Sequence, residues 1–278
     1  KTLDFLLWDS SGFYPAAMDQ WRLHAVLVFA AIFLFLPESY AANYDELSVA
    51  FFNWPLDELD VNGTTFGGEK AQLGLEAEPV AALAHNIPDQ AETAGIKAMS
   101  FDGESSWANL GYFSKSCISD VNLCTKGFTL SVLYFAENLP TETGYLVSSG
   151  GQSPSSRGFY FGYIGDKEAY EVGVISKQQR WFINFELQTM QWTNILFTWS
   201  NDTGVELYVD GELAAHADLS LAIIPDTLHD ADRDFDPAPN LFLGRANHMD
   251  DYYGQGYLST LVFMEEALTI DDVKKFIN

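Results

Sequence analysis

Two acidic runs hold the residue types with the clearest chemistry. His229-Asp230-Ala231-Asp232-Arg233-Asp234-Phe235-Asp236 sets four carboxylates at alternate positions. In an extended loop, alternate side chains project to one side. Asp230, Asp232, Asp234 and Asp236 therefore offer hard oxygen ligands suited to calcium, which takes about 6–8 oxygens. The glycine and terminal glutamate of an EF-hand loop are absent, and a solvated acidic loop relieved by Arg233 is the alternative. The second run is Asn247-His248-Met249-Asp250-Asp251-Tyr252-Tyr253. Asp250 and Asp251 add two metal-ligand candidates. Asn247, Tyr252 and Tyr253 add polar and aromatic groups that suit a sugar or a basic peptide. Trp181, after Gln178-Gln179-Arg180, is the tryptophan best placed by sequence to stack on a sugar, whereas Trp54 and Trp199 read as core. Calcium is the one cofactor these patterns suggest.

Covalent catalysis has little support. Beyond residue 43 the histidines are His85, His216, His229 and His248. None sits in a nucleophile motif, and no nucleophile elbow is present. The two cysteines, Cys117 and Cys124, stand in SCISDVNLC. In an exported chain they are expected to pair. A loop that short gains only about 2.5 kcal/mol from closure, so the bridge pins a loop and does not hold a domain together. With no third cysteine and no nearby histidine, zinc is disfavoured.

The elements that must position these groups are strands. Gln191 to Glu212 reads strand, turn, strand, turn: Ile195, Phe197 and Trp199 alternate with Leu196, Thr198 and Ser200. Asn201-Asp202-Thr203-Gly204 and Asp210-Gly211 are turns, because Asn, Asp and Gly tolerate positive φ. Turn signals recur every 8–12 residues or so between short aromatic-rich runs, the pattern of a two-sheet sandwich. Predicted strands are 98–101, 107–112, 128–136, 144–147, 158–164, 169–175, 181–185, 195–199, 205–209, 241–244 and 256–264. Residues 44–96 read as long loops with one strand, and 148–156 as a flexible loop. One helix closes the pattern, with Thr269 and Asp272 as a capping box, a Leu268–Val273 staple and a face of Ile270, Val273, Phe276 and Ile277.

The organisation is read as three parts. Met18 opens a segment with Arg22, an apolar run from Ala25 to Leu36 and small residues at Ser39 and Ala41. That is a secretory signal over 18–42, too short in its apolar part to span a bilayer. Residues 1–17 read as upstream translation, and 43–278 as a single exported domain with no stable membrane span. Lys1, Arg22, Asp4, Asp9, Asp19 and Glu38 fall in the first two parts, so about −23 of the formal net charge of −25 belongs to the domain. Such a surface repels nucleic acid and anionic lipid and suits cations or basic partners. Asn62-Gly63-Thr64 and Asn201-Asp202-Thr203 are N-glycosylation acceptors in turn contexts, making Asn62 and Asn201 candidate sites.

Several fragments together resemble the laminin G-like jelly rolls of the concanavalin A superfamily. They are Asn53-Trp54-Pro55-Leu56-Asp57, Ala98-Met99-Ser100-Phe101-Asp102-Gly103, the loop from Cys117 to Thr129, and Leu241-Phe242-Leu243-Gly244-Arg245 followed by Gly256 to Thr269. The resemblance implies an all-β, two-sheet antiparallel jelly-roll sandwich with a short C-terminal helix. It also implies a secreted, non-enzymatic adhesion or recognition module for an extracellular protein, matrix component or glycan. A calcium-dependent lectin and a divergent glycoside hydrolase are the alternatives. The family's calcium site uses loop acids, main-chain carbonyls and an Asp before a middle strand; here Ser156-Arg157-Gly158 stands there, a departure. Retaining glucanases of this fold use Glu-x-Asp-x-(x)-Glu, with carboxyls about 5–5.5 Å apart. The nearest spacing, Asp166-Lys167-Glu168-Ala169-Tyr170-Glu171, exchanges the first two acids and reads as a turn entering a strand.

Overall fold

The computed structural model describes residues 51–56, 83–85, 91–93, 95–152, 156–177, 179–218, 239–247 and 251–277. The chain divides into two units, Lys1–Ala41 and Ala42–Asn278, and every described residue falls in the second. The expected upstream and signal segments therefore lie outside the described residues.

In chain order the strands are β1 (Phe51–Pro55), β2 (Leu83–His85), β3 (Ala91–Thr93), β4 (Ile96–Asp102), β5 (Trp107–Tyr112), β6 (Phe128–Phe135), β7 (Gly144–Ser148) and β8 (Gly158–Ile164). They continue as β9 (Ala169–Ile175), β10 (Arg180–Phe185), β11 (Trp192–Ser200), β12 (Gly204–Val209), β13 (Glu212–Ala217), β14 (Asn240–Leu243) and β15 (Gln255–Met264), and helix α1 (Ile270–Ile277) follows. Among the described residues they form two antiparallel sheets. One runs β13-β12-β11-β6-β15-β4-β3, with β1 also on β15; the other runs β10-β9-β8-β7-β14-β5-β2. The all-β sandwich expected from the period-2 runs is the observed architecture, and each of the eleven expected strands overlaps an observed one.

Alternation sets the two faces of β11. Ile195, Phe197 and Trp199 point into the core, and register with β6 is continuous from Trp192↔Phe135 to Trp199↔Phe128. The next turn works as its residue types require: Asp210 and Gly211 both take positive φ (49° and 80°), the conformation of a tight right-twisting hairpin.

The sheets are joined by rings. Phe128, Phe197, Trp199 and Phe263 come from one sheet, Phe159 and Trp181 from the other. Phe159 lies 4.9 Å from Phe128 and 5.5 Å from Phe263, centroid to centroid, and Trp181 meets Trp199 edge-on at 5.7 Å. A second group sits further along, where Tyr134 crosses to Phe161 and Tyr170.

The structure departs from the sequence reading in four places. Three strands, β1, β2 and β3, form within 44–96 where one was expected. Their partners are β15, β5 and β4; β15 comes from the far end of the chain, β5 is the next strand but two, and β4 follows β3 directly, so pairing decides what local composition leaves weak. β13 carries no alternating signal and forms as an edge partner of β12. The loop at 148–156 is not loose in its described part. Ser149 and Ser156 are buried, Ser149 Oγ accepts from the Phe159 amide at 2.9 Å, and Ser156 Oγ accepts from the Gly151 amide at 2.8 Å. In α1, Val273 and the preceding Leu268 are buried while Ile270 is exposed. The N-cap bond of the expected capping box forms, with Thr269 Oγ1 accepting from the Asp272 amide at 3.4 Å, and the same hydroxyl donates to Asp272 Oδ2 at 2.6 Å.

Phe128→Ala removes the ring that touches both sheets and is expected to lower unfolding free energy by about 3–5 kcal/mol. A chemical-denaturation midpoint close to that of the unsubstituted protein would show that the ring column does not carry the domain.

Candidate binding surface at the rim of the sandwich

Strand direction gathers four connections at one end. β4 and β15 meet there through Asp102↔Gln255, β6 ends at Phe135 opposite Tyr257, and β7 and β8 meet through Gly144↔Tyr163. The loops 103–106, 136–143 and 165–168 and the end of 251–254 therefore converge. They enclose a cleft of ≈ 270 Å³ over Leu146, Tyr163, Tyr253 and Gln255, continuous with a wider groove of ≈ 790 Å³ reaching Gly165, Asp251 and Tyr252. Asp102, Glu104, Glu142, Asp166 and Asp251 line the two, and among the described residues no Lys, Arg or His does.

Each wall is fixed by identifiable bonds. Asp102 closes the β4–β5 turn: its Oδ1 accepts from the amides of Glu104, Ser105 and Ser106 at 2.8, 2.8 and 3.0 Å. Burial pushes its carboxyl pKa up, but the donors on Ser105, Ser106 and Glu104 outweigh this and hold it well below the usual range. The Gln255 carbonyl accepts from Tyr134 Oη at 2.9 Å, and Tyr134 Oη also shares a hydrogen bond with Tyr170 Oη at 3.1 Å across the sheets. Burial, then the neighbouring Tyr170, raises the Tyr134 phenol well above its ordinary pKa. Tyr252 is 42% exposed, and its carbonyl accepts from the Tyr145 amide at 3.0 Å. The Asp251 carboxylate accepts from the Tyr252 amide at 2.8 Å. Burial, then the charge of Glu171, lifts the Tyr145 phenol to about 12.

The structure sorts the sequence candidates. It brings Asp251, Tyr252 and Tyr253 to the groove. Asn247 is not free to bind: it is 8% exposed and its Nδ2 donates to the carbonyls of Ser148, at 3.1 Å, and Asn240. Trp181 is corrected from exposed stacking platform to core. It is 0% exposed because alternation along β10 turns it inward onto Trp199. Trp107 and Trp192 are half-buried, the first beside Phe242 with the Arg245 guanidinium 4.6 Å from its ring, the second against Phe135. Asp230, Asp232, Asp234, Asp236, Asp250 and Asn62 lie outside the described residues. Sequence reading missed Asp102, Glu104, Glu142 and Asp166 as groove residues. They come from three turns, at 102–106, 136–143 and 165–168, with no shared motif to announce them.

Calcium chemistry has no assembled donor set among the described residues, where no three His, Cys, Asp or Glu side chains converge. Arg157 sits at the other end of the sandwich, buried and ion-paired to Asp120 at 3.1 Å. The described residues do not by themselves fit a calcium centre. Glycosidic chemistry fares similarly. Glu171 is 2% exposed and engaged by Tyr160 Oη at 2.6 Å and by Lys167 Nζ, whereas Glu168 is exposed on a left-handed turn at φ 50°. Cys117 and Cys124 are disulfide-bonded, and Asn201 is exposed in its turn.

The family model described as the concanavalin A-like lectin/glucanases superfamily, of laminin G type, matches residues 110–274. The chain belongs to this family. The laminin G-like chain is 26% identical over 168 residues to human adhesion G-protein coupled receptor D1, covering 60% of this chain and 18% of the receptor. It is 30% identical over 99 residues to the bovine receptor of the same name, covering 35% of this chain and 11% of that one. It thus spans under a fifth of either relative. Among solved structures, Trypanosoma rangeli sialidase bound to 2,3-difluorosialic acid superposes with TM-score 0.55 at 13% identity, over 93% of this chain and 38% of the sialidase. The same enzyme with the inhibitor DANA gives 0.53 at 13% identity over the same shares. At that identity the likeness concerns the fold alone.

A carboxylate whose folded pKa is depressed stabilises above its unfolded pKa and loses that contribution as pH falls. Asp102→Asn is therefore expected to lower the melting temperature at neutral pH. The gap should narrow as pH falls below about 4, the unfolded aspartate value. Melting curves from pH 7 down to pH 2 check this; a gap that widens towards acid would contradict the assignment.

Proposed function

We propose that this laminin G-like domain is a non-enzymatic, extracellular recognition module that holds an extracellular protein, matrix component or glycan at the rim groove. The observation that carries the reading is the groove itself, with five carboxylates and no cation among its described lining residues and the exposed Tyr252 ring at its edge. Such a surface favours a partner presenting lysine or arginine, through charge complementarity and cation–aromatic contact. The disulfide supports an oxidising compartment. The matched stretch of an adhesion receptor supports a role in adhesion. No described helix is long and apolar enough to cross a membrane.

A calcium-dependent lectin is the second reading, favoured by the Asp251–Tyr252 pair, where a carboxylate stands beside an open aromatic face. Hydrolysis has weaker support. Glu171 is buried and held by Tyr160 and Lys167, an arrangement suited to structure more than to attack on a sugar. The experiment uses the full chain with a lysine-rich peptide, its glutamate-substituted counterpart and a glycan array, each with and without calcium chelator. The lysine peptide is expected to bind, to weaken several-fold on raising salt from 50 to 500 mM, and to weaken at least tenfold in a Glu142→Gln/Asp251→Asn/Tyr252→Ala variant of unchanged melting temperature. Chelator-sensitive glycan binding without peptide binding would favour the lectin. Binding indifferent to the triple change would remove the rim from the account.

A further inference from the structure

We propose that Asn201 carries an N-linked glycan, and that this glycan marks the pole of the sandwich opposite the rim and leaves the groove free. The proposal rests on the extracellular reading above. The acceptor Asn201-Asp202-Thr203 is the tip of the β11–β12 hairpin, and all three residues are exposed. The tip is held open by a small set of bonds. Thr203 donates its amide to Ser200 Oγ at 3.1 Å, the two hydroxyls lie 2.7 Å apart, and Gly204 supplies the positive φ (81°) that brings the chain back. The Asn201 side chain therefore stands on a convex turn with room for a bulky substituent.

Topology fixes which pole this is. β11 pairs with β6 from Trp192↔Phe135 at the rim to Trp199↔Phe128 at the far end. Asn201 thus lies about eight strand residues from the rim, roughly 27 Å at about 3.4 Å per residue. Its neighbours there are the start of β6, the loop closed by the disulfide, and the segment leading into α1. The Leu268 amide donates to Thr129 Oγ1 at 2.9 Å, and Trp199 pairs with Phe128 just beyond that loop. The substituent would come from a polyprenyl-diphosphate oligosaccharide. Asn201 Nδ2 bonds to the anomeric carbon and gives up one amide proton, while the anomeric C–O bond to the diphosphate breaks and leaves the lipid diphosphate. No atom of the domain is oxidised or reduced.

The test is peptide mapping of the full chain, expressed in a secreting eukaryotic cell and treated with peptide N-glycosidase in heavy-oxygen water. Conversion of Asn201 to labelled aspartate is expected. Asn201→Gln and Thr203→Ala should abolish the label and Thr203→Ser should retain it, with melting temperatures reporting that each variant folds. Affinity for the lysine-rich peptide should change less than twofold in Asn201→Gln, since the rim is distant. Secreted protein with unmodified Asn201 overturns the proposal and leaves the extracellular reading standing, and protein kept in the cytosol overturns both. A glycosylated Asn201 whose loss alters peptide affinity tenfold would overturn the placement of the groove at the opposite pole.

Discussion

The domain depends on aromatic rings that belong to both sheets at once. Phe128, Phe197, Trp199 and Phe263 from one layer close on Phe159 and Trp181 from the other. Rings of this size bury large apolar areas and prefer edge-on or offset contact, so they set the sheet separation as well as filling it. The rim loops 136–143, 165–168 and 251–254 adjoin β6, β8 and β15, strands whose inner faces are seated in this column. Trp181 illustrates the force of the constraint: a ring that local sequence offers to a ligand is turned inward because β10 must supply its share of the core.

The two ends of the sandwich are built differently. At one pole the covalent Cys117–Cys124 link, the buried Arg157–Asp120 pair and the bonds joining Thr129 to Glu266 and Leu268 tie the disulfide loop, the start of β8 and the approach to α1 together. Breaking the Arg157–Asp120 pair would leave a charge in a poorly solvated site, a larger penalty than losing a surface bridge. At the other pole no covalent link is described; Asp102 ties its own turn through three amides, Gly165 donates its amide to Thr143 Oγ1, and the 251–254 segment is held by backbone bonds to Tyr145 and Gly244. Asp102, Glu104, Glu142, Asp166 and Asp251 face the groove at that pole. Their mutual repulsion is tolerated because they are solvated, and it gives the groove its sign.

Part of the rim was legible beforehand. Asp251, Tyr252 and Tyr253 were visible as a cluster, since they are adjacent in sequence and precede a strongly patterned strand. Glu142, Asp166 and Glu104 were not, because they sit on three turns distant in sequence and only strand pairing brings those turns side by side. Asn247 misled for a related reason: its polarity suggests a ligand, but carbonyls from β7 and the start of β14 needed a donor. Similarly, β1, β2 and β3 are defined by their pairing with β15, β5 and β4, which satisfies backbone groups that weak local propensity alone would not order.

By itself the sequence determined the alternation that makes the chain all-β, the turns at Asn201–Gly204 and Asp210–Gly211, the cysteine pair and the capping box of the closing helix. These are local matters, decided by dihedral preference, side-chain reach and period. Tertiary structure decided which aromatic residues became core, which carboxylates became neighbours and which end of the sandwich presents them. Those outcomes depend on register and on cross-sheet packing between residues a hundred or more positions apart, such as Asp102 with Gln255 in one sheet and Phe159 with Phe263 between the sheets, and no local pattern encodes that distance.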